Sequence, residues 1–280
     1  MDTLLIEKRA IVYRTRGEAH GPVTRLVSPS GTGERIKPFV FLDYFDAPAG
    51  RGPSFGIHPH SGIATITLLL EGDVRYEDTT GKTGVLPAGG VEWMRAGGGV
   101  WHDGAPLPGA NLRGLQLWIA LSPTEELAPA ESHYVSPQKV PQAGPARVIL
   151  GSYGDAQSPI PAPAGITYLH VRLKDGASWE YRPPAGQRVA WVYSLDGTLQ
   201  AEGEAVRKNE LAVFEEGAST LHFEARGDTA FVLGSAVKHP HDLVLGYYSV
   251  HTRPEALETG EAEINRIGER LRASGRLRSS

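Results

Sequence analysis

Residues 58–72 read His-Pro-His-Ser-Gly-Ile-Ala-Thr-Ile-Thr-Leu-Leu-Leu-Glu-Gly, a histidine pair followed by a β-branched, apolar run that ends at a turn. His58 and His60 are two residues apart, so on an extended strand both imidazoles project from the same face. His102 follows a glycine run, after what we interpret as the next strands of the same sheet. Three neutral imidazoles that meet inside a β-barrel would form a site for a divalent metal such as iron, zinc, copper or nickel.

Short strand-like segments dominate the rest of the sequence. Residues 74–78, 91–96 and 112–121 alternate apolar side chains with polar or small ones. The 280-residue chain contains 34 glycines and 21 prolines, which is typical of many short strands joined by tight turns. Turn signals spaced by roughly ten residues predict an antiparallel sandwich or barrel.

The composition changes in the middle of the chain. Residues 122–163 are rich in proline, alanine and glutamine, and strand-like segments then resume. Similar turn positions in the two halves indicate a weak internal duplication of one β-barrel, although a single β fold with turns at similar intervals would look alike. We predict an N-terminal domain over residues 1–135, a linker over 136–165 and a C-terminal domain over 166–280.

One convincing helix is predicted, at the C-terminus. Pro254 suits a first helical position, with Thr252 before it as the cap. Ile264, Ile267 and Leu271 then fall at helical spacing on one face. Because the opposite face is charged, we expect a short helix that packs on the outside of a barrel.

Composition excludes several classes of function. The net charge is -4, so nothing indicates nucleic acid or an anionic membrane as a partner. The chain has no cysteine, which excludes disulfides, thiolate metal sites and cysteine nucleophiles. No apolar stretch approaches the roughly 18 residues of a spanning helix. The acidic start over residues 1–7 does not resemble a secretory signal, so a cytoplasmic location is expected.

Several motifs in combination resemble the pirin family. The motifs occur in the order and spacing of pirins and cover residues 38–45, 58–62, 70–72, 93–97 and 99–102. Pirins are cupins, so the resemblance implies an all-β fold of two cupin β-barrels, of the double-stranded β-helix or jelly-roll type, with one metal in the N-terminal barrel. It also implies an activity, because some bacterial relatives open quercetin with dioxygen. Animal members act as iron-dependent nuclear transcription cofactors.

The chain departs from the pirin pattern at its acidic positions. Pirins combine three histidines with one carboxylate, and the carboxylate position here is Gly104. Asp103 is one residue away, and strand alternation would point it to the opposite face. Ala64 replaces a glutamate that follows the histidine pair in pirins, and Ser61 replaces an arginine.

The resemblance maps three metal ligands onto this chain, namely His58, His60 and His102. We expect a divalent metal, with Fe(II) favoured over Zn, Cu, Ni, Mn or Co, and no further cofactor. The rival hypothesis is a decayed site in a metal-free pocket. Glu92 is a weak candidate for a catalytic base, and it or Gln116 could also serve as an extra ligand. The other interpretation makes both of them supporting or surface groups.

A second His-Pro-His, at His239 and His241, is interpreted as a pair of exposed loop histidines, because no third histidine follows at matching distance. The second barrel is therefore expected to lack metal.

Two hypotheses of function remain open. The first is a metal-dependent dioxygenase of the quercetinase kind, acting on a flavonol or another small phenolic or enolizable molecule. The second is a non-catalytic, metal-dependent regulatory protein that binds a protein partner through a degenerate site. A metal-free structural cupin is a third possibility.

Overall fold

The computed structural model describes residues 8–50 and 56–277, so the acidic start considered above lies outside the described residues. Strands account for 52% of the chain and helices for 11%. The all-β prediction is therefore confirmed. In the part of the chain that is described, no helix is both long enough and apolar enough to cross a membrane.

The first strands in chain order are β1 (Ile11–Thr15), β2 (Glu18–His20), β3 (Val23–Val27), β4 (Phe39–Ala47), β5 (His58–His60), β6 (Ile63–Glu71), β7 (Val74–Asp78), β8 (Thr83–Leu86), β9 (Val91–Arg95), β10 (Val100–Pro106), β11 (Leu112–Ala120) and β12 (Glu131–Val135). The later strands are β13 (Gln142–Ala143), β14 (Ala146–Leu150), β15 (Ser152–Tyr153), β16 (Ala156–Gln157), β17 (Ile166–Leu173), β18 (Ser178–Tyr181), β19 (Val189–Ala201), β20 (Glu204–Arg207), β21 (Glu210–Phe214), β22 (Leu221–Ala236), β23 (Val244–Gly246) and β24 (Ser249–His251). The α-helices are α1 (Thr32–Ile36) and α2 (Pro254–Ala273), and one 3₁₀ turn covers Pro137–Lys139.

The chain divides into two compact units. The first unit comprises residues 18–139 and the segment that begins at His239. The second comprises the residues up to Gly17 and residues 140–238. The terminal segment, which the sequence analysis grouped with the C-terminal domain, thus belongs to the unit that carries the three histidines.

The first unit contains a seven-stranded sheet and a four-stranded sheet. The larger has the order β12-β9-β6-β11-β4-β3-β2, and the smaller has the order β5-β10-β7-β8. The β-branched, apolar strand β6 lies inside the larger sheet, between β9 and β11, where most of its side chains are buried. Trp93, Met94 and Trp118 are buried, as expected for residues that pack the core.

The terminal helix packs against β10 in the first unit. The indole Nε1 of Trp101 donates a hydrogen bond to the carbonyl of Ile264 at 2.7 Å. Ile267 and Leu271 form a buried apolar cluster with the same indole, which confirms the predicted apolar face. Gly268 allows the close approach, because a Cβ at this position would lie 2.8 Å from the Trp101 ring. The helix has 20 residues and is longer than expected.

The predicted cap of this helix was wrong. Arg253 occupies the N-cap position and makes no capping hydrogen bond with its side chain. The hydroxyl and the backbone N–H of Thr252 both donate to the buried Glu126 carboxylate, at 2.8 Å and 2.6 Å. The Thr252 side chain is therefore engaged by Glu126 instead of capping the helix.

The second unit is built on one nine-stranded sheet. Its main path runs β1-β21-β19-β22-β17-β14-β13, with β18 and β20 paired to β22 and β19. The region predicted as a linker contributes to this sheet, because β14 pairs antiparallel with β17. Its core is aromatic and includes Trp179, Phe223 and Phe231, whose neighbouring rings lie 5.5–5.9 Å apart.

A buried carboxylate holds the turn after β7, next to the strand that carries His102. Asp78 lies opposite His102 in the β7–β10 register. Its carboxylate accepts hydrogen bonds from Thr80, Ser132 and Tyr134. Burial raises the pKa of Asp78, but these hydrogen bonds outweigh burial, so its pKa is lowered from the usual 3.8.

This lowered pKa predicts an acid-sensitive contribution to stability. Because the folded pKa of Asp78 is below the unfolded value, its contribution is complete above about pH 4 and disappears as the pH falls through the folded pKa. We expect Asp78→Asn to lower the free energy of unfolding by about 1–3 kcal/mol at pH 6. The difference from the wild type should shrink below pH 4. Urea unfolding at several pH values measures both effects, with the exposed Asp242→Asn as control. A difference that does not change with pH would contradict this account.

Candidate metal centre

The three predicted metal ligands lie together in the first unit. His58 and His60 project from the same side of β5, and β5 pairs antiparallel with β10 so that His102 lies opposite His58. The ring centroids are 4.5 Å apart for His58 and His102, 5.0 Å for His58 and His60, and 5.1 Å for His60 and His102. One ring nitrogen from each residue lies within 4.8 Å of the other two.

Hydrogen bonds at the far side of each ring fix which nitrogen faces the centre. The Nδ1 of His58 lies 2.8 Å from the Gly56 carbonyl, and the Nδ1 of His60 lies 3.2 Å from the Tyr248 carbonyl. The Nδ1 of His102 lies 3.1 Å from Oε1 of Glu92. Carbonyl and carboxylate oxygens can only accept, so each Nδ1 carries the proton and each Nε2 carries a lone pair.

These lone pairs fit a bound cation. The Nε2 atoms of His58 and His102 are only 3.0 Å apart, and the Nε2 of His60 is buried without a hydrogen-bond partner. Two facing lone pairs repel each other, and an unsatisfied buried acceptor costs about 1–3 kcal/mol. A divalent cation would remove both penalties, because imidazole Nε2 is a common ligand of first-row metals.

His58 and His60 are uncharged near neutral pH. Burial and the neighbouring His102 lower the pKa of His58 to about 4. Burial lowers the pKa of His60 well below its usual value, and His102 and His58 lower it further. Both residues therefore keep their lone pairs available down to mildly acidic pH, as metal binding requires.

Glu92 supports His102. Its carboxylate is buried and accepts a hydrogen bond from His102. Burial raises the pKa of Glu92, but the hydrogen bond and electrostatic attraction from His102, together with a hydrogen bond from Thr67, lower it more. The net effect is a lowered pKa, so Glu92 is ionised. Among the described residues, the group whose ligand atoms converge contains the three histidines and does not include Glu92. This carboxylate–histidine pair orients the ring and increases its basicity.

The acidic positions of the pirin pattern hold no acid near the histidines. Gly104 lines a small cavity of 60 Å³ together with His58, Glu92 and His102. A Cβ on Gly104 would contact only Val74, at an ordinary 3.4 Å. Ala64 is fully buried in β6. Asp103 lies opposite Glu77 in the β7–β10 register, and it lines neither this small cavity nor the larger one that opens beside His58.

Ser61, at the third departure from the pirin pattern, belongs to a buried polar cluster behind His60. Its hydroxyl is 3.0 Å from Nε2 of His251 and 2.8 Å from the hydroxyl of Ser249. Nδ1 of His251 faces Glu126 at 3.3 Å, and Ser61, His251 and Glu126 are each at most 1% exposed. The cluster therefore ties β24 of the terminal segment to the residue that follows β5, and it is closed to substrates.

Among the described residues, the converging group of ligand atoms does not include the second His-Pro-His. His241 is exposed, as expected, but His239 is 7% exposed, which contradicts the prediction. Its Nε2 lies 3.1 Å from the Leu121 carbonyl, and its backbone N–H donates to the Lys37 carbonyl. His239 is therefore an anchor of the terminal segment.

A larger cavity of 490 Å³ opens beside His58. Its lining residues are Arg25, Pro29, Phe41, Asp43, His58, Gln116, Trp118, Gly246, Tyr247 and Tyr248. Gln116, which we considered as a base or ligand, lines both this cavity and the smaller one. Its Oε1 accepts a hydrogen bond from Trp118 Nε1 at 3.4 Å.

Sequence reasoning missed two parts of the site. Asp43 was not singled out as a site residue in the sequence, yet it lies within β4 and forms an ion pair with Arg25. The backbone of Tyr248 has φ 54°, an unfavourable value for a tyrosine, and its carbonyl anchors His60. Alternation on β3 and β4 could have paired Arg25 with Asp43, whereas no local pattern identifies Tyr248.

Comparison with known proteins identifies relatives of this chain. Residues 21–119 match the sequence pattern of the pirin family. A Pseudomonas aeruginosa protein named as a candidate quercetin 2,3-dioxygenase is 36% identical over 243 residues, which cover 79% of this chain and 83% of the relative.

Solved structures share the fold. Quercetin 2,3-dioxygenase from Acinetobacter baumannii superposes with a TM-score of 0.84 at 23% identity, covering 92% of this chain and 97% of that one. A bacterial pirin from Escherichia coli, solved in complex with nickel(II), gives a TM-score of 0.64 at 20% identity, with coverage of 81% and 99%. Sequence identity over most of the chain, the matched family pattern and the shared fold together show that the chain belongs to the pirin family.

Proposed function

We propose that this pirin is a metal-dependent dioxygenase of the quercetinase kind, with His58, His60 and His102 as the ligands of a divalent metal. Fe(II) is our first choice of metal. The observation that carries the proposal is the convergence of three Nε2 lone pairs, each fixed by a hydrogen bond at Nδ1. The relative named for quercetin dioxygenation supports an activity of this kind.

The charge of the site favours an anionic oxygen ligand. Three neutral imidazoles leave the full +2 charge of a bound ion uncompensated by its ligands. When bound, iron would supply Lewis acidity toward a substrate oxygen and redox chemistry with dioxygen. Deprotonated phenols and enols carry such an oxygen, and the aromatic side chains around the 490 Å³ cavity suit their flat rings.

A substrate hydroxyl must lose its proton before its oxygen can bind as an anion, and the lack of a free base for this step limits the choice of substrate. Glu92 is the nearest buried carboxylate to His102, but its Oε1 already accepts a hydrogen bond from Nδ1–H of that histidine. Using Glu92 as a general base would release the ring that it orients. We therefore favour substrates that are ionised before binding, with Glu92 as a positioning residue.

Metal analysis tests the site directly. His102→Ala removes one of three ligands, so we expect it to lose the metal on dialysis under conditions in which the wild type keeps one ion per chain. Glu92→Gln keeps an acceptor oxygen but loses the charge, and we expect about 10- to 100-fold weaker binding. Elemental analysis and titration with Ni(II) or Zn(II) measure both effects.

The matched control is His241→Ala, which removes an exposed histidine from the second His-Pro-His. It should bind metal as tightly as the wild type does. Equal loss of metal in the His241 and His102 variants would count against the assignment, as would a wild type that takes up no divalent metal.

Restoring an acid tests the electrostatic argument. Gly104 lines the small cavity together with His58 and His102, and a Cβ there would contact only Val74, so we expect Gly104→Glu to bring a carboxylate toward the histidines. We expect a lower dissociation constant for the metal, because the added negative charge stabilises the ion. Gly104→Gln has the same size without the charge and should not reproduce the gain. Equal effects of the two variants would show that charge is not the cause.

Oxygen uptake tests the reaction. The iron-loaded protein in air should consume oxygen when quercetin or a smaller ionised phenol is added, and metal-depleted protein or His102→Ala should not. No uptake with confirmed bound metal, across iron, nickel, copper and manganese, would reject the dioxygenase proposal.

The exposed side chains beside the cavity favour a second candidate function. Leu245, Tyr247 and Tyr248 on the β23–β24 hairpin are 42%, 69% and 39% exposed. A protein partner could cover this apolar surface, in keeping with a metal-dependent regulatory role. A stoichiometric partner that binds only the metal-loaded protein, together with absent oxygen uptake, would favour this function over catalysis.

A further inference from the structure

Arg25 is the fixed cationic group of the large cavity. It lies on β3 directly opposite Asp43 on β4. Its Nε and Nη2 both donate to the Asp43 carboxylate, the second at 3.0 Å. Its Cζ also lies 4.0 Å from the centroid of the Phe41 ring. The bidentate ion pair and the stacked ring hold the guanidinium in one orientation.

The outer edge of this guanidinium remains available. An arginine has five N–H donors, and Nη1 of Arg25 donates to no group among the described residues. The Arg25 side chain is 35% exposed, and it lines the same cavity as His58. Arg25 does not line the smaller cavity next to Glu92 and His102. It therefore offers a separate polar contact to a ligand in the large cavity.

The walls of the cavity suit a flat ring. Phe41 and Trp118 are stacked, with centroids 4.0 Å apart and planes at 10°. Tyr247 and Tyr248 also line the cavity, with their rings at 86° to each other. The Tyr248 ring centroid is 5.7 Å from that of His58, so aromatic surface extends to the histidines. A volume of 490 Å³ is sufficient for a ligand of one or two rings.

The charges around the cavity favour a carboxylic acid as the ligand. Arg25 and Asp43 cancel as a pair, and the three histidines are neutral, so a bound divalent ion leaves an excess of positive charge. We infer that the cavity binds an aromatic or enolic carboxylic acid, with its hydroxyl oxygen toward the histidines and its carboxylate on Nη1 of Arg25. This inference rests on the proposed function, because the histidines must hold the metal that receives the hydroxyl oxygen.

Binding to zinc-loaded protein tests the inference without turnover. The probes are 4-hydroxycinnamate and salicylate, each compared with its uncharged amide, and isothermal titration gives the affinities. We expect each acid to bind about 10- to 100-fold more tightly than its amide, as a charge-assisted hydrogen bond provides. Arg25→Ala should abolish this preference, and Arg25→Lys should restore part of it. The exposed Arg75→Ala should keep it in full.

The outcomes separate this inference from the proposed function. Metal content and thermal unfolding of the Arg25 variants show whether they fold and keep their metal, and Arg25→Lys provides a second variant that preserves the charge beside Asp43. Equal binding of acid and amide to the wild type overturns the inference, as does a preference that persists in Arg25→Ala. An acid preference that depends on Arg25 supports it even if no oxygen is consumed, in which case only the dioxygenase proposal fails.

Discussion

Three hydrogen bonds donated by histidine Nδ1 atoms organise the centre of this pirin. The acceptors are the carbonyls of Gly56 and Tyr248 and the carboxylate of Glu92. Each holds a proton on the outer side of an imidazole, so that the inner nitrogens present lone pairs to a common point. Without these acceptors a ring could adopt the other tautomer, and Nε2–H of one histidine would then donate a hydrogen bond to Nε2 of the other across the 3.0 Å between His58 and His102. That hydrogen bond would use a lone pair that a metal needs.

The position of the negative charge distinguishes this site from the pirin pattern. Gly104 leaves no carboxylate among the converging ligand atoms, and the nearest buried acid is Glu92, on the outer side of His102. A carboxylate in that position strengthens the ring as a ligand, yet it lets the ion keep more of its charge toward the cavity. The same chain places Arg25 in the cavity wall. The charge of a bound ion would favour negatively charged ligands, and Arg25, although neutralised by Asp43, offers them a hydrogen-bond donor at Nη1.

The sequence was sufficient to predict the features that depend on local patterns. Strand alternation places His58 and His60 on one face, and the β-branched run after them predicts a strand. Contacts between distant segments could not be predicted. The Tyr248 carbonyl is 188 residues away from His60 in the sequence. The terminal helix packs closely against the Trp101 indole only because Gly268 lacks a side chain. His239 was misjudged for the same reason, since its partner Leu121 is far away in the sequence.

The left-handed backbone at Tyr248 has a consequence for the order of events during synthesis. The ribosome makes β5 and β10 long before it makes the hairpin that carries this carbonyl. A nascent chain that ends before residue 248 lacks the acceptor that fixes the tautomer of His60. The newly made first unit therefore has to wait for the hairpin that carries Tyr248 before all three rings are set. A metal that binds at these three rings would therefore load only after the hairpin that carries Tyr248 has been made.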